Sequence, residues 1–541
     1  MKRAHTLGRL TLALALSFCA GRAYAQDAAS STQNGSLSAV ERADLARFRE
    51  RAAAALSLNG ADKVYWGAVI VDADSGEVLY SLNADKYFKP ASTVKLFTTA
   101  MAMATLGSDF RSRTTIESRG MLDGAGVLRG DLVLVGRGDA NLSNRVFPFV
   151  KQAEHDGSAD AALERLADQV AAHGVKQVRG DIVADDSYFE LTRYPSGWTV
   201  DDTVWSYGAA VSAIAIDDNA LTLHVLPGMR VGMPARITFN RWPGGYSIRN
   251  QTRTVAAGSA DAMLSLARDP ESKVFILGGT LTVDAPLRLL QVAVPEPAEL
   301  AATQLKRLLE ARGVKVSGRS RARHAGEPAQ TAGQTKILGE KFSPTLAEDL
   351  RLTNKLSQNL HAELMLRVAA REAANATTMD DALKFAAQFY EQIGIAQDEV
   401  TLRDGSGLSR NGLVTPQSVV KLLGWAAKQP WGDVFAASLP VAGEDGTLEY
   451  RLKGTAAAGR VQAKTGTINS AAGLAGYATS QRGERLIFAF YGNNNPGTTR
   501  DSTTVLDSLC LAMVEELGTG AVSPATEAVP TALRKASVRQ R

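Results

Sequence analysis

Two hydrophobic periods alternate along this chain, and the places where they switch divide it. A helical period covers residues 38–56. The continuous apolar run 64–71 reads as a buried strand, 72–76 as a turn, and Val78-Leu79-Tyr80 as the returning strand. Pro90 and Ala91 then lead into a helix whose first turns, Leu96 to Met103, are almost wholly apolar.

From about 112 to 285 the pattern changes to short strands between turns, at 132–135, 181–184, 221–225 and 236–239. One amphipathic helix, 161–173, stops at Gly174. This stretch reads as an inserted β-rich unit. Its Gly124-Ala125-Gly126 segment lacks the spacing and the following helix of a dinucleotide loop, and is a turn. Helices dominate from Pro295, over 298–312, 344–373 and 380–393, with another from Thr415. Strands return at 461–464, 474–479 and 485–490 before a last helix, 501–517. Hairpin strands with helices gathered elsewhere predict an α+β protein, an antiparallel sheet covered by helices and interrupted by a large β-rich insertion. The expected division is a first catalytic part at 26–111, the insertion at 112–285, a second catalytic part at 286–520 and a disordered tail at 521–541.

With 541 residues, 45% of them hydrophobic and 21% charged, the chain is long enough for two or more compact units with a sizeable core. Residues 1–25 have the form of a secretory signal: Lys2, Arg3 and Arg9, an apolar run over 10–18, and Ala23-Tyr24-Ala25. The run is too short for a permanent span, and the bulky Phe18 before Cys19 argues against a lipidation site. The expectation is a periplasmic protein with a cleaved signal, and an uncleaved anchor is the alternative. Setting aside the signal's four basic residues leaves 56 basic against 56 acidic, so the body offers no nucleic-acid footprint. The basic residues Arg534, Lys535, Arg539 and Arg541 belong to the tail, and membrane association is left open. Cys510 is the one cysteine of the mature chain, so no internal disulfide forms, and its apolar setting marks a structural thiol.

The chemistry begins at Ser92-Thr93-Val94-Lys95. Residues three apart on a helix share a face, so the hydroxyl and the amine can meet. A serine beside a neutral amine is an activated nucleophile, and burial lowers a lysine pKa. The pattern alone is weak, because Ser418-Val419-Val420-Lys421 repeats it in what reads as an ordinary amphipathic helix. Two further pieces follow Ser92 in order, Ser357-Gln358-Asn359 and Lys464-Thr465-Gly466-Thr467. Taken singly, Ser357 reads equally as a helix N-cap and Asn359 as a first-turn residue.

The ordered set S-x-x-K, S-x-N and K-T-G is the signature of active-site serine enzymes that include penicillin-binding proteins and β-lactamases. With Asp404-Gly405-Ser406-Gly407-Leu408-Ser409, Gly443-Glu444-Asp445-Gly446, Gly138-Asp139-Ala140-Asn141 and Asp185-Asp186-Ser187, the chain closely resembles the low-molecular-mass class C penicillin-binding proteins, the D-alanyl-D-alanine carboxypeptidase/endopeptidase family, from about 40 to 520. The long gap between Ser92 and Ser357 fits that family's inserted domains. Gln358 stands where Asp is usual, and Ala140 where Pro is usual.

The resemblance implies a penicillin-binding-protein/β-lactamase-like serine transpeptidase fold and a serine D,D-peptidase. Its substrates are peptidoglycan peptides ending in D-Ala-D-Ala, with β-lactam antibiotics as covalent inhibitors. By resemblance, Ser92 is the nucleophile and Lys95 the base, Ser357 and Lys464 relay a proton to the leaving amine, and Asn359 holds the substrate amide. Thr465 and Thr467 bind the terminal carboxylate, Gly466 leaves room for substrate along the strand, and the N–H groups of Ser92 and Thr467 hold the oxyanion. No metal or cofactor is expected. His361 has no evident acidic partner and reads as a packing residue. The competing readings are a secreted serine β-lactamase and an inactive cell-wall binding protein; the large insertion counts against the first and the intact motifs against the second.

Overall fold

The computed structural model describes residues 42–151, 153–155, 157–260, 262–269, 272–328, 335–496 and 499–521. The expected signal at 1–25, and the expected tail after residue 521, lie outside the described residues.

The apolar strand runs from the two ends of the chain form one antiparallel sheet. Its order is Val78–Leu82, Tyr65–Asp72, Arg485–Asn493, Ala471–Thr479 and Val461–Ile468. Side chains alternate between the faces of a strand, and here helices cover both. Ile487, Ala489 and Tyr491 pack with Leu96, Phe97 and Leu366, beneath the helices Val94–Leu106, Asn359–Ala374 and Pro416–Ala427. Phe488 and Phe490 point the other way, onto Phe48, Leu509 and Met513 of the helices Ala43–Leu56 and Thr499–Glu516. Burial on both faces explains why Leu486 to Tyr491 shows no polar alternation. The chain forms the expected α+β architecture, an antiparallel sheet covered by helices.

The insertion leaves this unit at Arg113–Leu122, which hairpins with Val127–Val135 to start a seven-stranded sheet. Thr335–Phe342 pairs back onto Arg113–Leu122, so the insertion closes on itself. At its neck Ser112 N–H donates to Ser343 Oγ and Ser343 N–H to Ser112 O, each at 2.9 Å. By this pairing the insertion runs to Phe342 rather than ending at 285. The helix Pro297–Ala311, expected in the catalytic part, buries Ala298, Leu305 and Leu309 with Ile116, Leu132 and Leu166 of the insertion. A 3.6-residue apolar period says that a helix has a buried face, not which sheet it covers. The strand-to-helix switch near 295 is therefore not a domain boundary.

A second difference falls on a motif. The expected helix 344–373 is two helices, Leu346–Leu356 and Asn359–Ala374, with Ser357 between them at φ 59°. Ser357 is thus a left-handed C-terminal cap, not an N-cap. Gln358 caps the second helix, its Oε1 accepting from Leu360 N–H at 3.2 Å. The insertion packs on that second helix through Phe189, Val211 and Ala215 against Leu360, Leu364 and Val368.

Candidate active site

Ser92 lies in the single 3-10 turn Ala91–Thr93 that feeds the helix Val94–Leu106, and Lys95 follows one turn on. The apolar run after Lys95 drives this helix through the core and takes the lysine with it, so Lys95 is fully buried. Its Nζ lies 2.9 Å from Ser92 Oγ, 2.6 Å from Asn359 Oδ1 and 2.7 Å from the Ser406 carbonyl. Burial pushes its pKa down to about 7, against the opposing pull of Asp404 and Glu363. The three partners are not equivalent. Asn359 Oδ1 and Ser406 O only accept, so a neutral amine gives them its two N–H groups. Its lone pair then faces the Ser92 hydroxyl.

Lys464 and Ser357 form the second pair. Lys464 Nζ donates to Ser357 Oγ at 2.9 Å and to Thr465 O at 3.0 Å. Burial, and then the charge of Lys95, hold the Lys464 pKa well below its ordinary value. Lys464 and Gly466 share one face of the strand Val461–Ile468, turned toward the Ser92 turn. A Cβ on Gly466 would meet Pro90 O at 2.5 Å and Thr93 N at 3.2 Å. The glycine therefore makes room for the Ser92 turn, whereas the resemblance assigns that room to substrate. Thr465 and Thr467 occupy the other face. Thr465 Oγ1 lies 2.8 Å from Thr447 Oγ1, and Thr467 is exposed near the strand's end.

This strand is an edge of the catalytic sheet. Its first half is covered, with Ala463 N–H donating to Pro440 O at 2.9 Å. Main-chain groups of alternate residues share a direction, so the N–H groups of Thr465 and Thr467 face the open edge. An extended peptide can pair there as an added strand.

Several residues behind the motifs escaped the sequence reading. Glu363, one turn after Asn359, accepts from the N–H groups of Gly405 and Ser406 at 2.9 and 2.8 Å. Burial and the neighbouring Asp404 raise its pKa. Asp404 takes the N–H groups of Gly407 and Ser409 at 2.8 and 2.7 Å and the Trp198 indole at 2.9 Å. Together the two acids shape the loop that aims Ser406 O at Lys95. Gly407 has φ 79°, and a Cβ there would stand 1.9 Å from Ala91 O, so the loop abuts the Ser92 turn. The i, i+4 spacing of Asn359, Glu363 and Arg367 along one face of a helix with mostly apolar neighbours is the available signal.

The insertion reaches the site as well. Asn359 Nδ2 donates to Tyr207 O at 2.7 Å. Asp218 accepts from Ser143 Oγ at 2.9 Å and Gln358 Nε2 at 3.0 Å, and also pairs with Arg145. His361 lies between Asp349 and Asp218, at 2.6 and 3.3 Å, so the residue read as having no acidic partner has two. Those carboxylates outweigh burial and raise the buried imidazole to about 9. Asp218 also accounts for Gln358: an Asp there would set a second carboxylate against it. Lys355, just before the motif, is buried on Asp445 at 2.6 Å.

The second S-x-x-K is an ordinary helix turn. Ser418 Oγ donates to Thr415 O at 2.7 Å, and Lys421 pairs with Glu399 at 2.7 Å. Cys510 is buried, and burial raises its thiol pKa. Among the described residues no group of three or more His, Cys, Asp or Glu is placed to hold a metal, and no helix is long and apolar enough to cross a membrane.

The model of the D-Ala-D-Ala carboxypeptidase 3 (S13) family matches residues 51–512. A D-alanyl-D-alanine carboxypeptidase from Actinomadura sp. (strain R39) is 35% identical over 488 residues, 88% of this chain and 86% of the relative. The D-alanyl-D-alanine carboxypeptidase DacB of Haemophilus influenzae is 26% identical over 79% of this chain and 85% of its own length. In fold, the chain is similar to the crystal structure of penicillin binding protein 4 from Haemophilus influenzae. That match has a TM-score of 0.73 at 23% identity and covers 87% of this chain and 99% of the other. The matched span runs through Ser92, Ser357 and Lys464 and takes in the insertion between them, and the chain belongs to the D-Ala-D-Ala carboxypeptidase 3 (S13) family.

Proposed function

We propose that this protein is a serine D-Ala-D-Ala carboxypeptidase and D,D-endopeptidase that works through a Ser92 acyl-enzyme and is acylated by penicillin. The observation that carries the reading is a buried lysine with a pKa near 7 at 2.9 Å from the Ser92 hydroxyl. Lys95 takes the Ser92 proton as Oγ attacks the carbonyl carbon between two D-alanines. The N–H groups of Ser92 and Thr467 receive the developing oxyanion. The C–N bond breaks, and the leaving amine takes a proton from the Ser357 hydroxyl; Lys464 passes on to Ser357 the proton that Lys95 took from Ser92, so neither lysine is left short of or in excess of a proton. Water then cleaves the ester. Asn359, anchored by Lys95 and Tyr207, offers its second amide N–H to the substrate, while the hydroxyls of Thr465 and Thr467 bind the terminal carboxylate. The same site cuts D-Ala–meso-diaminopimelate cross-links. The work is proposed to be done in the periplasm, after export by the signal at residues 1–25.

Intact mass after incubation with benzylpenicillin, for wild type and Ser92→Ala, tests this. The expected result is a long-lived adduct of the whole drug, absent in Ser92→Ala, together with D-alanine release from a D-Ala-D-Ala peptide. Rapid drug turnover without an adduct would instead indicate a β-lactamase, and neither adduct nor turnover a binding protein.

A further inference from the structure

Between the insertion and the S-x-N turn lies a cleft of about 1040 Å³. Sites that enclose a drug-sized ligand occupy roughly 300–1,000 Å³, so this one exceeds what a terminal D-alanine needs. One wall is catalytic, made by Leu356, Ser357 and Asn359. The floor is the outer face of the sheet formed by Ala220–Leu226 and Arg288–Ala293, where Thr222 stands opposite Gln291 with Leu289 two residues along. Leu221, Leu223 and Val292 of the same strands point into the insertion's core, as the two-residue alternation requires. Trp205 and Tyr207 close the third side.

Leu289, Tyr207 and Leu356 are 59%, 47% and 42% exposed, and all three line this cleft. Large apolar side chains that converge in one exposed concavity mark a binding surface. The charges along it are already matched. Arg145 pairs with Asp218, and Arg241 with Asp217 at 3.0 Å. His155, also on the lining, lies 3.6 Å from Asp217, and the other polar groups, such as Thr222, Asn240 and Gln291, are neutral hydroxyls and amides. That combination suits an extended peptide, with its amides on the neutral groups and its methylene and methyl groups on Leu289, Tyr207 and Leu356, rather than a compact ion.

Ser357 decides which part of the substrate enters. Its hydroxyl, 2.9 Å from Lys464 Nζ, is the group that hands a proton to the leaving amine under the proposed function, on which this inference rests. A cleft that opens from Ser357 is therefore on the amine side of the scissile bond. We propose that it receives the amine-side strand of a cross-linked stem peptide, so that the insertion favours endopeptidase over carboxypeptidase turnover. The bond chemistry is unchanged: the same C–N bond breaks, Ser92 keeps the acyl group, and the departing amine takes its proton from Ser357. Only the size of the amine differs.

The test uses the full chain with two substrates, a cross-linked muropeptide dimer and a monomeric pentapeptide. Leu289→Arg sets a long cation on the cleft floor at an exposed strand position, and Gln291→Trp fills the cleft from two residues away. For both variants kcat/KM on the dimer is expected to fall by about tenfold or more, with D-alanine release from the pentapeptide and the rate of penicillin acylation within about twofold of wild type. Equal loss on both substrates, or an unchanged dimer rate in both variants, overturns the proposal. A wild-type protein that neither releases D-alanine nor takes up penicillin overturns the peptidase reading itself, a failure seen before any variant is made.

Discussion

Lys95 Nζ faces two acceptors and the Ser92 hydroxyl, and its protonation state decides whether it can take that hydroxyl's proton. Because its pKa is lowered to about 7, the amine is charged below that pH and cannot take the Ser92 proton. The rate of benzylpenicillin acylation is thus expected to climb as pH rises through about 7, with the loss on the acid side; a rate flat from pH 5 to 8 would remove Lys95 as the base. Lys95→Arg keeps a cation that does not deprotonate, and should slow acylation by about 10²–10⁴-fold. His361 titrates with the opposite consequence. Its pKa is raised from 6.5 to about 9 between Asp349 and Asp218. The folded state therefore holds the proton more tightly than the unfolded chain. The stabilisation is fully present below about 6.5 and is lost as pH rises through 9, amounting to about 3 kcal/mol. Urea unfolding of wild type and His361→Gln at pH 6 and pH 9.5 reads this directly: the wild-type advantage should be large at pH 6 and shrink at pH 9.5.

At the scale of elements, two glycines let three segments meet at Ser92, and they should fail differently. A Cβ on Gly466 clashes with Pro90 O without changing the strand's backbone, so Gly466→Ala should push the strand from the Ser92 turn at a cost of about 1–3 kcal/mol. Gly407 combines a close approach to Ala91 O with a φ of 79°. Gly407→Ala meets both steric overlap and left-handed strain, and thermal melts should rank it the less stable variant. Both should slow penicillin acylation; wild-type rates in both would mean that the turn tolerates displacement. These contacts also mark how much of the site the sequence makes legible. Each motif is local, so its residue types stand out, and the strands Tyr65–Asp72 and Arg485–Asn493 declare themselves by apolar runs. What lies between motifs does not. The break at Ser357 needs a left-handed residue that a serine does not advertise. The partners of His361 come from 12 and 143 residues away, beyond any periodic signal. The helix Pro297–Ala311 shows its apolar face but not the sheet beneath it.

Across the whole molecule, the insertion has a core of its own, distinct from the two cores flanking the catalytic sheet. Its neck, at Ser112 and Ser343, is already closed by hydrogen bonds. By stability alone it looks removable. Its ties to the site argue otherwise: Tyr207 O holds Asn359, Asp218 holds Gln358 and His361, Trp198 holds Asp404, and Asp202 holds Arg410 of the same loop at 2.5 Å. Each reaches a residue that sets the surroundings of Lys95 or Ser357, so the insertion works as part of the active-site wall. Joining Ser112 to Ser343, with Leu360, Leu364 and Val368 made polar to suit their new exposure, should leave the sheet and its two flanking cores folded. Acylation by penicillin should nevertheless fall by about tenfold or more, because preorganisation is lost while Ser92 and Lys95 remain in place. Circular dichroism and melting establish that the shortened chain folds, and stopped-flow acylation gives the rate. A folded, shortened protein that acylates as fast as wild type would show that the catalytic unit positions its motifs unaided. A folded, slow one would place part of the catalytic geometry in the β-rich insertion.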